Sequence, residues 1–126
     1  MTRVLFISLL FVLSAFTANA GETLGDVSFK VTEYNLGSFR QGIVRRVVFV
    51  FKNTGNAPVV IQDAKVACGC TAVTYSKKPV MPGKNGYITV WYNSNKAGTG
   101  TFNKSVDVYT NAKTSIVRLF ISGETR

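Results

Sequence analysis

Tyr87-Ile88-Thr89-Val90-Trp91-Tyr92 sets Ile88, Val90 and Tyr92 against Tyr87, Thr89 and Trp91 in strict alternation. Successive side chains leave a pleated backbone on opposite faces, so a period of two over β-branched and aromatic residues reads as a strand with one face inward. Outward from it, apolar segments recur between turn signals. Upstream lie Val27 to Tyr34, with Phe29 and Val31 on one face, then Ile43 to Lys52, Val59 to Val66 and Val73-Thr74-Tyr75. Downstream lie Phe102 to Thr110, with Phe102, Val106 and Val108 on one face, and Ile116 to Ser122, with Val117, Leu119 and Ile121 inward. The run Val47-Val48-Phe49-Val50-Phe51 is apolar on both faces, which suits a central strand, covered on both sides or partly shielded outside.

Turn chemistry divides these segments. Leu36-Gly37-Ser38-Phe39, Gln41-Gly42, Asn53 to Pro58 and Asn111-Ala112-Lys113 all carry residues that favour tight reversals. Lys96-Ala97-Gly98-Thr99-Gly100 reads as a hairpin turn, and Pro79 to Gly83 as an irregular crossing, since proline cannot complete a ladder. Beyond residue 20 the chain holds 15 Val, 5 Ile and 11 Thr, so 31 of 106 residues are β-branched, against only 3 Leu and 3 Glu. That balance excludes a helical bundle and disfavours a doubly wound α/β fold. The reading is all-β: one β-sandwich of about seven strands over residues 27–126, with no credible helix and no internal repeat.

The first twenty residues read as a cleaved signal peptide. Arg3 supplies a positive start and Val4 to Phe16 an apolar core, and Ala18-Asn19-Ala20 predicts cleavage before Gly21. The apolar core is shorter than the roughly 20 residues a membrane span needs. Residues 21–26 then read as a flexible lead-in. The mature chain is expected outside the cytoplasm, not membrane-spanning, where disulfides are permitted.

The whole chain has no histidine and a net charge of +9; without Arg3 the mature part has 14 Lys+Arg against 6 Asp+Glu, or +8. Lack of histidine removes Ser-His-Asp and Cys-His catalysis and His-ligated zinc. The expectation is a protein that is not an enzyme and carries no cofactor. Such basic charge draws polyanions in a salt-dependent way but implies no specific nucleic acid, and it serves equally as solubility charge. Arg45-Arg46 and Lys77-Lys78 read as solvated charge and edge-strand protection.

The ordered set Asn53-Thr54-Gly55, Cys68-Gly69-Cys70-Thr71, Pro79 with Pro82-Gly83, Asn111, and Leu119 to Gly123 resembles a family of secreted bacterial proteins catalogued as a domain of unknown function. The resemblance covers about Tyr34 to Gly123. It implies an immunoglobulin-like sandwich similar to the Hydin and major sperm protein type, in the periplasm or at the cell surface of a Gram-negative bacterium, and no established activity. Gln41-Gly42 departs from the family, which usually carries an acidic residue before that glycine.

Cys68-Gly69-Cys70 is the one reactive constellation, and three readings stand open. Both thiols are buried as small hydrophobes, or they form a disulfide, or they bind a soft ion such as Cu(I) with help from Met81. In an extended strand the cysteines lie near the upper limit of disulfide reach, so a bond needs a bend, for which Gly69 is the permissive residue. The uncharged flanks give no reason for low-pKa thiols, and Lys65, Lys77 and Lys78 approach only through the fold. Asp26, Glu33, Asp63 and Asp107 show no spacing of an acid–base pair. Tyr87, Trp91 and Tyr92 form an aromatic cluster, either core packing or a platform for a sugar or peptide.

The leading expectation is an exported, non-catalytic module that binds another envelope protein, with β-augmentation at a strand edge as the route. The alternatives are a thiol-redox or Cu(I)-handling protein acting through Cys68 and Cys70, and a binder of acidic polymers or glycans.

Overall fold

The computed structural model describes residues 24–126; the signal segment 1–20 and residues 21–23 lie outside the described residues. Eight strands form two four-stranded sheets: β1 (Val27–Phe29), β2 (Glu33–Phe39), β3 (Val44–Asn53), β4 (Ile61–Val66), β5 (Thr71–Tyr75), β6 (Asn85–Asn93), β7 (Gly100–Thr110) and β8 (Ile116–Thr125). One sheet runs β1-β3-β6-β5, the other β2-β8-β7-β4. All pairings are antiparallel except β2 with β8.

The alternation of β6 decides the core. Ile88, Val90 and Tyr92 are buried beside Phe49 and Phe51 of the same sheet and form one cluster with Val106, Val108, Leu119 and Ile121 of the other. Each such side chain taken from water stabilises the fold by roughly 1.5–3 kcal/mol. At one end Tyr92 stacks on Phe102, centroids 3.9 Å apart, and Phe39 meets both edge-on. β3 is central, as its two apolar faces imply, but its outer face is open in part: Val48 is half-buried while Val44 and Val50 are exposed.

Five expectations need correcting. The segment Val27–Tyr34 is two strands, because the chain leaves the first sheet after Phe29 and enters the second at Glu33. Leu36 to Phe39, read as a turn, continues β2 instead. Gly37 at φ +75° forms a bulge there, its N–H donating to Asn35 Oδ1 at 2.8 Å, and the register with β8 shifts between Asn35 and Ser38. A short helix, α1 (Ser94–Ala97), follows β6; Asn93 caps it and Gly98 ends it. Since β6 and β7 lie in different sheets, Lys96 to Gly100 belongs to a crossover rather than a hairpin. Finally, residues 24–26 of the lead-in are bound in: Asn56 N–H donates to Leu24 O, Lys113 N–H to Gly25 O and Thr54 N–H to Asp26 O.

Candidate functional site

Cys68, Gly69 and Cys70 occupy the turn between β4 and β5, where the chain passes from one sheet to the other. Thr71 N–H donates to Cys68 O at 3.1 Å, closing a four-residue turn, and Asn93 N–H holds Cys70 O at 2.7 Å. The bend brings the two cysteine Cα atoms to 5.1 Å and the pair is disulfide-bonded. Gly69 is not what permits it. Its φ lies outside the left-handed region, and a Cβ placed there would meet nothing within 4 Å. Loop closure over one intervening residue confines the unfolded chain far less than the roughly 3 kcal/mol expected for a 15-residue loop.

Cys70 is buried and Cys68 half-buried. Cys68 lines a cleft of about 170 Å³ together with Tyr92, Lys96, Thr101, Phe102 and Lys104. These lysines come from α1 and β7, so nothing in the local sequence links them to the cysteines; only the crossover does. Of the lysines that only the fold could bring to the pair, Lys65 holds its Nζ over the Tyr109 ring at 5.1 Å and Lys77 over Tyr75 at 3.8 Å.

Asn53, fully buried at the end of β3, joins three segments. Its Nδ2 donates to Ala57 O at 2.8 Å and Val80 O at 2.9 Å, and its Oδ1 accepts from Gly55 N–H at 2.9 Å and Asp26 N–H at 3.3 Å. Beside it, Thr54 is exposed and Gly55 has no room for a Cβ, which would strike the backbone at Leu24 and Asp26. Pro82 and Gly83 form a turn closed by Lys84 N–H to Met81 O at 3.0 Å, with Gly83 at φ +77°; Pro79 is exposed one residue before Val80, which bridges Val59. Asn111 grips the segment before β4, accepting from Val60 N–H at 2.7 Å and donating to Pro58 O at 3.3 Å. Thr71 is buried with its Oγ1 3.6 Å from Cys70 Sγ, and a Cβ on Gly123 would strike the Phe102 ring. Asn53, Pro82, Gly83 and Asn111 hold turns and loops, while Thr71 and Gly123 lie in strands.

β3 presents a free edge. Asn53 exchanges backbone hydrogen bonds with Lys84 and Gly83 on the β6 side, whereas Thr54 N–H turns to Asp26 on the β1 side. Alternation along the strand therefore directs the N–H and C=O of Val44, Arg46 and Val48 to the β1 side. β1 reaches only Phe51, Lys52 and Asn53, so among the described residues Val44, Arg46 and Val48 are paired with no strand on that side. Where β1 departs, a groove of about 470 Å³ opens, lined by Lys30, Val31, Tyr34, Val50 and Lys52 among others. Arg45 lies over the Phe39 ring at 4.9 Å, and Arg46 is exposed.

Residues 27–125 match a family described as a protein of unknown function, DUF1573. The chain belongs to that family. The DUF1573 domain is similar in fold to a protein of unknown function from Porphyromonas gingivalis W83, at 13% identity and a TM-score of 0.72, covering 87% of this chain and 51% of that one. It is also similar to the ASH/PapD-like domain 7 of human CEP192, at 9% identity and a TM-score of 0.68, covering 82% and 87% of the two chains. The YadV chaperone follows at 15% identity and a TM-score of 0.54, covering 80% and 51%. The chain thus spans about half the length of the P. gingivalis protein. No curated protein matches it. At these identities the likeness is one of fold: an immunoglobulin-like, PapD-like sandwich.

The remaining candidates disperse over the DUF1573 sandwich. Tyr92 belongs to the core at 1% exposure and cannot join an outer platform; Tyr87 is half-exposed and Trp91 half-buried on the opposite face of β6, with Arg46 and Ala72 beside Trp91. Burial raises the Tyr92 hydroxyl above its usual pKa. Met81 stands by Lys84 at the start of β6, while the cysteine turn joins Asn93 at its end, about 25 Å away at 3.3 Å per residue, so Met81 cannot share a ligand with the pair. Among the described residues no three of His, Cys, Asp or Glu cluster as metal ligands. Asp107 pairs with Arg118 at 2.7 Å on the surface, and Asp63 accepts from Ala64 N–H.

Proposed function

We propose that this domain is an exported, non-catalytic binding module of the Gram-negative envelope, and that its partner is another envelope protein presenting an extended, acidic segment. The observation that carries the reading is the unpaired edge of β3. An edge strand offers a row of N–H and C=O groups that an added strand satisfies, and neighbouring side chains select it. Val44 and Val50 offer apolar contact, while Lys30, Arg46 and Lys52 favour negative charge on the arriving chain. Within the family signature, Asn53, Pro82, Gly83 and Asn111 are engaged in holding turns and loops, and recognition is assigned to the strand edge. The signal-like segment 1–20 and the mature charge of +8 support an exported, salt-sensitive binder.

Amide hydrogen exchange with two short synthetic peptides, Val/Glu and Val/Lys alternating, tests this. The acidic peptide is expected to slow exchange at Val44, Arg46 and Val48 by about tenfold or more, and the basic one not to. Arg46→Glu should abolish the preference. Binding that leaves these three amides unprotected, or binding of an acidic polysaccharide in place of the peptide, would overturn the reading.

A further inference from the structure

A bond that confines the unfolded chain so little, across a turn already closed by Thr71 N–H, is a poor staple. Its surroundings suit chemistry instead. Of its two sulfurs, that of Cys68 belongs to the more exposed residue and borders the cleft into which Lys96 and Lys104 bring positive charge. Each sulfur also has a donor or hydroxyl at hand: Cys70 N–H donates to Cys68 Sγ at 3.1 Å, and Thr71 Oγ1 lies 3.6 Å from Cys70 Sγ. Exposed Gly69 carries no side chain to shield the approach.

We propose that Cys68–Cys70 is a thiol–disulfide exchange site whose substrate is a dithiol. One thiolate of the dithiol attacks Cys68 Sγ; the bond between the cysteines breaks and its electron pair leaves on Cys70, where the Thr71 hydroxyl donates to the new thiolate. The second thiolate then attacks its own sulfur in the mixed disulfide and releases Cys68 as a thiolate that accepts from Cys70 N–H. The dithiol ends as a disulfide, two electrons rest on Cys68 and Cys70, and solvent supplies the protons. Lys96 and Lys104 act by concentrating the attacking anion, since the thiolate is the nucleophile. This inference is independent of the strand-edge reading: the exchange is a single stoichiometric transfer of two electrons, with no turnover implied.

The test uses the folded, oxidised protein. Reduction by dithiothreitol is followed by acid quench, alkylation and intact mass. Reduction is expected in native buffer at a rate that dilute urea does not change; a rate that climbs with urea in step with unfolding would overturn the proposal. In single variants exposed to oxidised glutathione, Cys70→Ser should form a mixed disulfide at Cys68 about tenfold faster than Cys68→Ser forms one at Cys70. Equal or reversed rates would overturn the order of attack. Lys96→Gln with Lys104→Gln should slow reduction by both reagents, and several-fold more for anionic reduced glutathione than for dithiothreitol; unchanged rates with both would remove the lysines from the mechanism. A Cys68→Ser, Cys70→Ser double variant that loses most of its thermal stability would make the bond a structural staple after all.

Discussion

The side-chain amide of Asn53 donates to the carbonyl of Val80 at 2.9 Å, across 27 residues of sequence. The same nitrogen serves Ala57 O, so one buried side chain holds the β3 terminus, the loop after it and the Pro79–Gly83 segment in register. Asn53→Ala would take their side-chain partner from Ala57 O, Gly55 N–H and Asp26 N–H, and would leave Val80 O only its bond from Val59 N–H. The expected loss is about 3 kcal/mol, read as a lower urea midpoint. Asn53→Asp should be nearly as damaging, because a carboxylate has no hydrogen to give Val80. Unchanged stability in both variants would refute the hub.

Glycines separate by what a methyl group would meet. On Gly86 a Cβ would collide with the Phe51 ring and come within 2.8 Å of Val80, both core residues. Gly86→Ala should therefore cost on the order of 2 kcal/mol or more through overpacking. Gly69→Ala meets open space and an ordinary φ, so it should be neutral or stabilise by up to about 1 kcal/mol through the unfolded chain. Thermal melts of the two variants side by side decide the matter.

Asp26 gives the fold a pH dependence of known sign. The Thr114 side chain foremost, then the amides of Val27 and Thr114 and the charge of Lys113, hold its carboxyl below the usual range, against the opposing effect of burial. A carboxyl with a lowered folded pKa contributes stability that is complete above the ordinary carboxylate pKa and is lost as pH falls through the folded value. Urea midpoints of the native chain and Asp26→Asn should differ near neutral pH and converge once the pH falls below the lowered folded value. Parallel curves would show that Asp26 carries none of the acid sensitivity.

Export is checked by an intact mass. Protein taken from its native envelope should begin at Gly21, with Ala18-Asn19-Ala20 removed along with everything before it. A mass that includes residues 1–20 would rule the cleavage out.

The alternation Ile88-Val90-Tyr92 made the inward face of β6 legible, and Val106, Val108, Leu119 and Ile121 did the same for the opposing sheet. A sandwich follows from those patterns alone. The passage of β1 to β2 between sheets was not legible: Phe29 and Val31 share a face in any extended reading, and no local residue announces that the chain changes layers at Lys30. Gly37 read as a turn because a bulge and a turn draw on the same left-handed backbone. At the cysteine turn the pair itself was legible and the bend was not, since a four-residue turn closed by Thr71 leaves no mark on side-chain periodicity. Lys96 and Lys104 come to Cys68 from 28 and 36 residues downstream, a meeting that only the crossover creates.

β2 runs parallel to β8, Glu33 opposite Phe120 and Phe39 opposite Thr125. Tension applied between the two ends of the domain pulls such a parallel pair in opposite directions along its own axis. After the three residues of β1 peel away, the load falls on all the β2–β8 hydrogen bonds together, in shear, instead of opening them one by one. Resistance to stretching along the chain is therefore expected to come from this one parallel pair.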